Sequence, residues 1–151
     1  EWINKGCKDV KELCGIGIAS TFGDYALGRR EAEGFARVDL KANIETYVGY
    51  LMKTYKERIT SGNPNEIGLM GKTEEAMKTV VGGTITGSRI VERWEHPTKN
   101  TIFVLAKINF ESFKRNVEQM KELSEIFKEY VRKNAEKLHK ELNQELEKRG
   151  Q

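Results

Sequence analysis

The amino-acid sequence predicts an α+β fold in which short β-rich runs alternate with two very long helices. Two segments carry apolar residues every three or four positions, which is typical of amphipathic helices. One β-rich run precedes the first helix and two more lie between the helices. The predicted order is therefore β-α-(short α)-β-β-α. A chain of 151 residues is long enough for one core, so residues 1–109 are predicted to form one domain with an N-terminal arm, and residues 110–151 a helix partly packed on it.

The first β-rich run alternates glycine or alanine with larger residues. From Leu13 to Ser20, one predicted strand face carries Cys14, Ile16 and Ile18, and the other carries glycine and alanine. Glycine weakens a strand unless another element packs closely against its backbone. We therefore expect a partner element on the small-residue face.

The following segment, from about Asp24 to Ile59, supplies that partner. Its apolar stripe begins with small residues and continues with large ones, and Asp24 is a suitable N-terminal cap. The small residues permit a close approach to the strand, and the large ones indicate a deeper core. The stripe consists of Gly28, Ala32, Ala36, Leu40, Ile44, Val48, Leu51, Tyr55 and Ile59.

The middle of the chain predicts a loop, a short helix and a hairpin. Turn residues around Pro64 indicate a loop as far as Lys72, and Thr73 opens a short helix that ends at Gly82-Gly83. Two β-rich runs, 84–94 and 101–108, surround a turn containing proline and asparagine, which predicts an antiparallel hairpin. Both faces of the second run are partly apolar, which favours a central strand, or a second face covered by another subunit or by the N-terminal arm.

The last segment, from about Phe110 to Lys148, is predicted to be one helix. At 1.5 Å per residue it would be roughly 55 Å long, more than the diameter of a domain of this size. Its distal half would extend beyond the domain or pack on a partner. We name Leu138, Leu142 and Leu146 as self-association residues, since exposed leucines on a lone helix favour association; a projecting amphipathic tail is the alternative.

Composition and cysteine spacing restrict the function classes. The charged fraction is 32% but the net charge is only +3, which argues against a nucleic-acid surface. Abundant Glu and Lys fit a thermophile, or simply long exposed helices. Cys7 and Cys14 lack the spacing of a redox or zinc motif. They indicate either a disulfide in an oxidising compartment or two thiols with Cys14 buried.

No residue cluster in the sequence predicts catalysis, a cofactor or a metal. The run from Gly15 to Ser20 lacks the third glycine and the βαβ context of a dinucleotide site. His96 and His139 have no acidic or thiol partner nearby in sequence and are interpreted as surface residues. Arg93 and Trp94 form a candidate interface pair, with Trp94 as core or sheet cover as the alternative.

The chain resembles the LPP-twenty lipoprotein family, small bacterial envelope lipoproteins related to domains of flagellar outer-ring proteins. The resemblance covers Trp2 to Ile108. It is carried by Gly15-Ile16-Gly17-Ile18-Ala19, by Ala32, Ala36-Arg37, Leu40 and Ile44, and by Arg89-Ile90-Val91-Glu92-Arg93-Trp94 with Thr101-Ile102-Phe103-Val104-Leu105-Ala106.

The resemblance implies three antiparallel strands packed against a long helix in an exported protein that is tethered by a lipidated cysteine. It supplies no catalytic residues. Cys7 lies inside the matching part, so the anchor is expected to precede Glu1. We therefore expect a non-enzymatic envelope protein on the periplasmic side of the outer membrane or on the cell surface. Its partners would be copies of itself or another envelope protein, and membrane contact would occur only through the lipid anchor.

Two alternatives remain from the sequence. One is a cytoplasmic adaptor that assembles through the C-terminal helix. The other is a small-ligand binder or enzyme that uses the glycine face of the first strand, which would need a pocket lined by convergent polar groups.

Overall fold

The computed structural model describes residues 12–149 and confirms the α+β class. Three strands form one antiparallel sheet in the order β1-β3-β2. The strands are β1 (Glu12–Ser20), β2 (Arg89–Glu95) and β3 (Thr101–Asn109). The helices are α1 (Tyr25–Thr60), α2 (Pro64–Gly68), α3 (Met70–Thr86), α4 (Phe110–Gln119) and α5 (Glu125–Arg149).

The described chain divides into two compact units. The sheet unit comprises residues 12–44 and 85–109, and the helical unit comprises residues 45–84 and 110–149. The limit after Asn109 coincides with the predicted domain boundary, but residues 45–84 group with the C-terminal helices. Helix α1 runs through both units, contributing its first part to the sheet unit and its second part to the helical unit.

The glycines of β1 are packed directly on the backbone of α1. A Cβ atom built on Gly15 would overlap the Ala36 carbonyl oxygen and lie 2.7 Å from the Leu40 Cα atom. A Cβ atom on Gly17 would overlap the Ala32 carbonyl oxygen. The expected partner element is therefore confirmed, and it leaves no space for a side chain on this face.

The other sheet residues on this face complete the core of the sheet unit. Pairing of β1 with β3 places Gly15 opposite Ala106 and Gly17 opposite Val104. Because directly paired residues share a face, the buried alternating residues of β3 also lie against α1. They are Ile102, Val104, Ala106 and Ile108, none more than 3% exposed.

Helix α1 also covers part of the outer edge of β1. Asp39 accepts a hydrogen bond from the Ile16 N–H (2.8 Å), and the Asn43 amide donates to the Cys14 carbonyl (2.7 Å). Asp39 and Asn43 are four residues apart and so lie on one side of the helix. Both main-chain groups face away from β3. Polar side chains thus occupy positions that would otherwise pair with another strand.

The predicted C-terminal helix is divided in two. Helix α4 ends at Gln119, and α5 begins at Glu125 after a turn in which Leu123 is buried. Ser124 caps α5, because its Oγ accepts the Phe127 N–H at 3.1 Å. The prediction of one continuous helix from Phe110 to Lys148 was therefore wrong. The Ser124-Glu125 pair is a helix-start signal, and it explains the break.

Helices α4 and α5 pair side by side in antiparallel orientation. Lys114 contacts Glu136 (Nζ to Oε1, 3.1 Å), and Arg132 contacts Glu118 (Nη2 to Oε1, 3.0 Å). The hydrogen-bonded Arg132 guanidinium holds the pKa of Glu118 below its ordinary value. The long C-terminal helix is present, but much of its apolar stripe packs inside the helical unit.

The segment between residues 60 and 88 is more helical than expected. Pro64 occupies the first turn of α2, where its missing N–H has no helical partner to lose. Helix α3 continues past Gly82-Gly83 to Thr86. Val80 and Thr84 are buried on it, and the Asn116 amide donates to Thr84 Oγ1 at 3.1 Å. Packing of these residues therefore outweighs the low helix propensity of the two glycines. Because the helix continues to Thr86, β2 begins at Arg89 and not at residue 84 as predicted.

Replacing Gly15 with alanine should destabilise the fold by about 3 kcal/mol, because the methyl group would displace the α1 backbone. Gly34 on α1 provides the control. Nothing lies within 4 Å of its Cβ position, so Gly34→Ala should stabilise by about 0.5 to 1 kcal/mol. Denaturant unfolding measures both. Equal unfolding midpoints for the two variants would contradict the close packing of β1 on α1.

Candidate functional site

Three apolar side chains form a row across the sheet on the face opposite α1. In the strand register, Ile18 lies opposite Phe103 and Phe103 lies opposite Trp94. Directly paired residues project to the same face, and their neighbours Gly17 and Val104 face the helix. We call the face that carries the row the open face, and Ile18, Phe103 and Trp94 the apolar row.

The apolar row is partly accessible to solvent. Ile18 is 51% exposed and Trp94 is 39% exposed. The Trp94 ring lies 5.4 Å from the Phe103 ring and 5.5 Å from the His96 ring between centroids. Phe22 is 81% exposed, and the hydrogen bond from Thr21 N–H to the Asn100 carbonyl (2.7 Å) places it at the hairpin end of the sheet. Exposed aromatic groups of this kind are enriched at protein interfaces.

The predicted pair Arg93 and Trp94 is split between the two faces of the sheet. Trp94 belongs to the open face, whereas Arg93 lies opposite Val104 on the helix side. There its guanidinium forms an ion pair with Glu33 of α1 (Nη2 to Oε2, 2.8 Å). Trp94 therefore remains a candidate interface residue, and Arg93 joins β2 to α1.

Of the two cysteines, Cys14 lies within the described residues. Cys14 is 6% exposed and lies on the open face of β1, as its alternation with Gly15 requires. Cys7 lies outside the described residues, so the Cys7–Cys14 disulfide stays a prediction.

Two of the three predicted self-association leucines are buried in the helical unit. Leu138 is 5% exposed and Leu142 is 9% exposed, whereas Leu146 is 46% exposed. The expectation of an exposed leucine stripe was wrong for Leu138 and Leu142, because α5 packs against helices of its own unit as far as Leu142. Self-association itself stays a prediction, but Leu138 and Leu142 do not present a surface for it.

His139 is buried, contrary to its interpretation as a surface residue. It is 6% exposed, and its ring lies 4.8 Å from Phe110 and 5.7 Å from Tyr47 between centroids. The sequence shows only the charged residues that surround His139 along the chain. The apolar pocket that receives it is formed by residues distant in sequence.

Glu66 is a buried carboxylate that joins three elements of the helical unit. The Tyr55 hydroxyl of α1 donates to Glu66 Oε1 at 2.5 Å, and the Ser124 hydroxyl donates to the same oxygen at 2.7 Å. Ser124 also caps α5. Burial, together with the hydrogen bond to Glu66, raises the pKa of Tyr55. These two hydrogen bonds hold α2 against α1 and the start of α5. Both hydroxyl protons are donated to Glu66.

A cavity of about 210 Å³ lies beside this cluster. The Arg58 guanidinium stacks over the Tyr130 ring at 5.7 Å from its centroid, and Lys133 pairs with Glu129 at 3.1 Å. These contacts engage the polar groups with one another rather than directing them at a common point. The lining consists of Tyr55, Arg58, Ile59, Asn63, Ile126, Glu129, Tyr130, Lys133 and Asn134.

Within residues 12–149, no group of three or more His, Cys, Asp or Glu side chains could hold a metal ion. No helix in that range is both long and apolar enough to cross a membrane.

No family model matches the chain, and no curated protein matches it. The resemblance to the LPP-twenty family therefore stays a prediction.

Sequence reasoning identified Trp94 but missed Ile18, Phe103 and Phe22 as surface residues. Alternation assigned Phe103 to the second face of its strand. Only the strand register shows that Ile18 and Trp94 flank it, and register depends on pairing between distant segments.

Tyr47 provides a test of the helical core by pH. It is fully buried, donates to the Ala135 carbonyl at 2.6 Å, and burial raises its pKa above the ordinary 10.0. Above pH 10 the unfolded chain loses this proton while the folded chain keeps it, so stability falls. Between pH 9 and 11, Tyr47→Phe should lose about 1 kcal/mol less of its unfolding free energy than the wild type.

The control for this comparison is Phe113→Leu, which weakens packing against the same ring, 5.6 Å away between centroids, without removing a proton. It should lose as much stability with pH as the wild type does. An identical pH dependence in Tyr47→Phe and the wild type would contradict the burial of the phenol. Urea unfolding followed by far-UV circular dichroism measures all three.

Proposed function

We propose that this chain is a non-catalytic protein-interaction module of the bacterial cell envelope, exported and held by a lipid anchor. The resemblance to the LPP-twenty family supports the compartment. The apolar row supports the interaction role, and it is the observation on which the proposal rests. The row provides an apolar contact surface on one face of the sheet, and α1 packs on the opposite face.

The structure weakens the two alternatives that the sequence left open. Two of the three leucines proposed for assembly through the C-terminal helix are buried in the helical unit. A ligand site on the glycine face would require the space that the α1 backbone fills. Phe22, which is 81% exposed, lies at the hairpin end of the sheet, where the apolar row also lies. This favours binding through that end of the sheet.

Loss of the apolar row should remove partner binding without unfolding the protein. We expect Ile18→Ser with Trp94→Ser to reduce cross-linking to an envelope partner about tenfold or more, because central aromatic contacts carry much of an interface's binding energy. Ile67→Ser with Leu146→Ser is the matched control, since these residues are 47% and 46% exposed in the helical unit. Cross-linking in intact cells, with circular dichroism of both variants, measures the effect. Equal loss in both variants, or in neither, would refute the row as the binding surface.

The compartment is tested separately. Expression of the full-length gene followed by fractionation and metabolic labelling with a fatty acid should place the product in the outer-membrane fraction with a covalent lipid. A product recovered unlipidated from the cytoplasm would overturn the envelope part of the proposal. It would leave the binding surface to be judged by the cross-linking experiment.

A further inference from the structure

Helix α1 carries apolar side chains on the side that points away from the sheet. Ala32 and Ala36, which face β1, are fully buried. Residues two positions apart on a helix lie on nearly opposite sides, because each residue turns by about 100°, so Gly34 and Val38 lie on the outward side. Val38 is 66% exposed, and Leu27, which lies about three turns earlier on the same side, is 47% exposed. The first half of α1 is therefore apolar on a buried side and on an accessible side.

Phe35 widens the accessible side. It is 53% exposed and lies one turn from Val38 and two turns from Leu27. We call Leu27, Phe35 and Val38 the outer stripe of α1. At 1.5 Å per residue the stripe is about 16 Å long. A surface helix normally carries polar residues on the side opposite its core, so these exposed apolar side chains indicate a contact surface.

Basic side chains border the outer stripe on one side. Arg30, Arg37 and Lys41 are spaced by seven and four residues, which places them along one line of the helix, and all three are exposed. We call them the basic row. Glu33 is three residues from Arg30 and four from Arg37, but it forms an ion pair with Arg93 of β2 (Nη2 to Oε2, 2.8 Å). This contact directs the Glu33 carboxylate to the sheet and away from the basic row.

Acidic groups between Leu27 and Lys41 contribute little to the outward side. Glu31 is exposed beside the outer stripe. Asp39, on the border opposite the basic row, accepts the Ile16 N–H at 2.8 Å and is directed at β1. Three positive charges thus accompany one outward carboxylate. An apolar stripe bordered by Lys and Arg is typical of helices that lie in the interface of an anionic membrane.

We propose that the outer stripe of α1 docks on the surface of a membrane that contains anionic phospholipid. Leu27, Phe35 and Val38 enter the boundary between the headgroups and the acyl chains, and the basic row contacts the phosphate groups. The helix lies on the membrane and does not span it.

A second copy of the chain fits this surface less well. In a symmetric antiparallel pair of α1 helices, each border of the outer stripe would lie against the same border of the other copy. The basic row would then face a second basic row, and like charges repel. A negatively charged membrane surface pairs with the whole row at once.

Docking through α1 orients the sheet unit. Because α1 would lie between the membrane and the sheet, the open face and its apolar row would point away from the membrane, where a partner can reach them. The contact belongs to the folded chain itself and does not require a lipid anchor. It therefore goes beyond the proposed function, whose lipidation and cross-linking experiments give separate results.

Vesicle binding by the unlipidated chain of 151 residues tests the docking. The wild type should sediment with vesicles of phosphatidylglycerol and phosphatidylcholine in equal amounts. Binding should weaken with added salt and should be weak on pure phosphatidylcholine. Arg30→Gln with Arg37→Gln should reduce the partition coefficient about thirtyfold, because each basic residue near an anionic surface contributes about fivefold. Phe35→Ser with Val38→Ser should reduce it about tenfold, since less apolar area enters the interface.

Lys72→Gln with Lys121→Gln is the matched control for charge. It removes two exposed positive charges from the helical unit and should leave the partition coefficient nearly unchanged. An equal loss in this control and in the arginine variant would assign binding to net charge and overturn the proposal. A wild type that does not bind the anionic vesicles would also overturn it.

Analytical ultracentrifugation tests whether a second copy covers the stripe instead. A wild-type dimer that Phe35→Ser with Val38→Ser converts into a monomer would overturn the proposal, whereas a monomeric wild type that binds the vesicles supports it. All substituted residues are exposed, and far-UV circular dichroism checks that each variant is folded. If the serine variant unfolds, the arginine variant and its lysine control decide.

Discussion

The sheet unit depends on the direct approach of the β1 backbone to the α1 backbone. Gly15 and Gly17 have no side chains, and the facing helix positions are Ala32 and Ala36, so main-chain atoms of the two elements meet. This contact fixes how far α1 stands from the sheet and at which residues. The larger residues Leu40 and Ile44 follow along the helix and are fully buried. The Asp39 and Asn43 bonds to β1 require the same spacing.

Local patterns predicted the elements whose burial follows a simple period. The β1 alternation, the apolar stripe of α1 and the hairpin turn all depend on residues close in sequence, and Asp24 caps α1 as expected, accepting the Leu27 N–H at 3.1 Å. The errors occurred where packing opposed local preference, or where a capping residue lay within an apolar stripe. The glycines of α3 and the break at Ser124 are decided by buried neighbours and by a single capping hydroxyl.

The candidate site was harder to predict than the fold because it consists of residues that only the register brings together. Trp94 and Phe103 are nine residues apart, and Ile18 lies far from both in sequence. The same limitation explains the leucines of α5. An apolar stripe indicates that a helix face is covered, but it does not say whether the cover comes from the same chain, and here Leu138 and Leu142 pack within it.

The polar groups that α1 places along β1 make the two edges of the sheet unequal. Asp39 and Asn43 interrupt hydrogen bonding at the β1 edge, while β2 is the other edge strand of the sheet among residues 12–149, with its register to β3 broken between Ile90 and Glu92. Sheet growth by strand addition is therefore directional. Two copies that joined through β2 would each present an obstructed β1 edge outward, so such growth would close at a pair and could not continue into a filament.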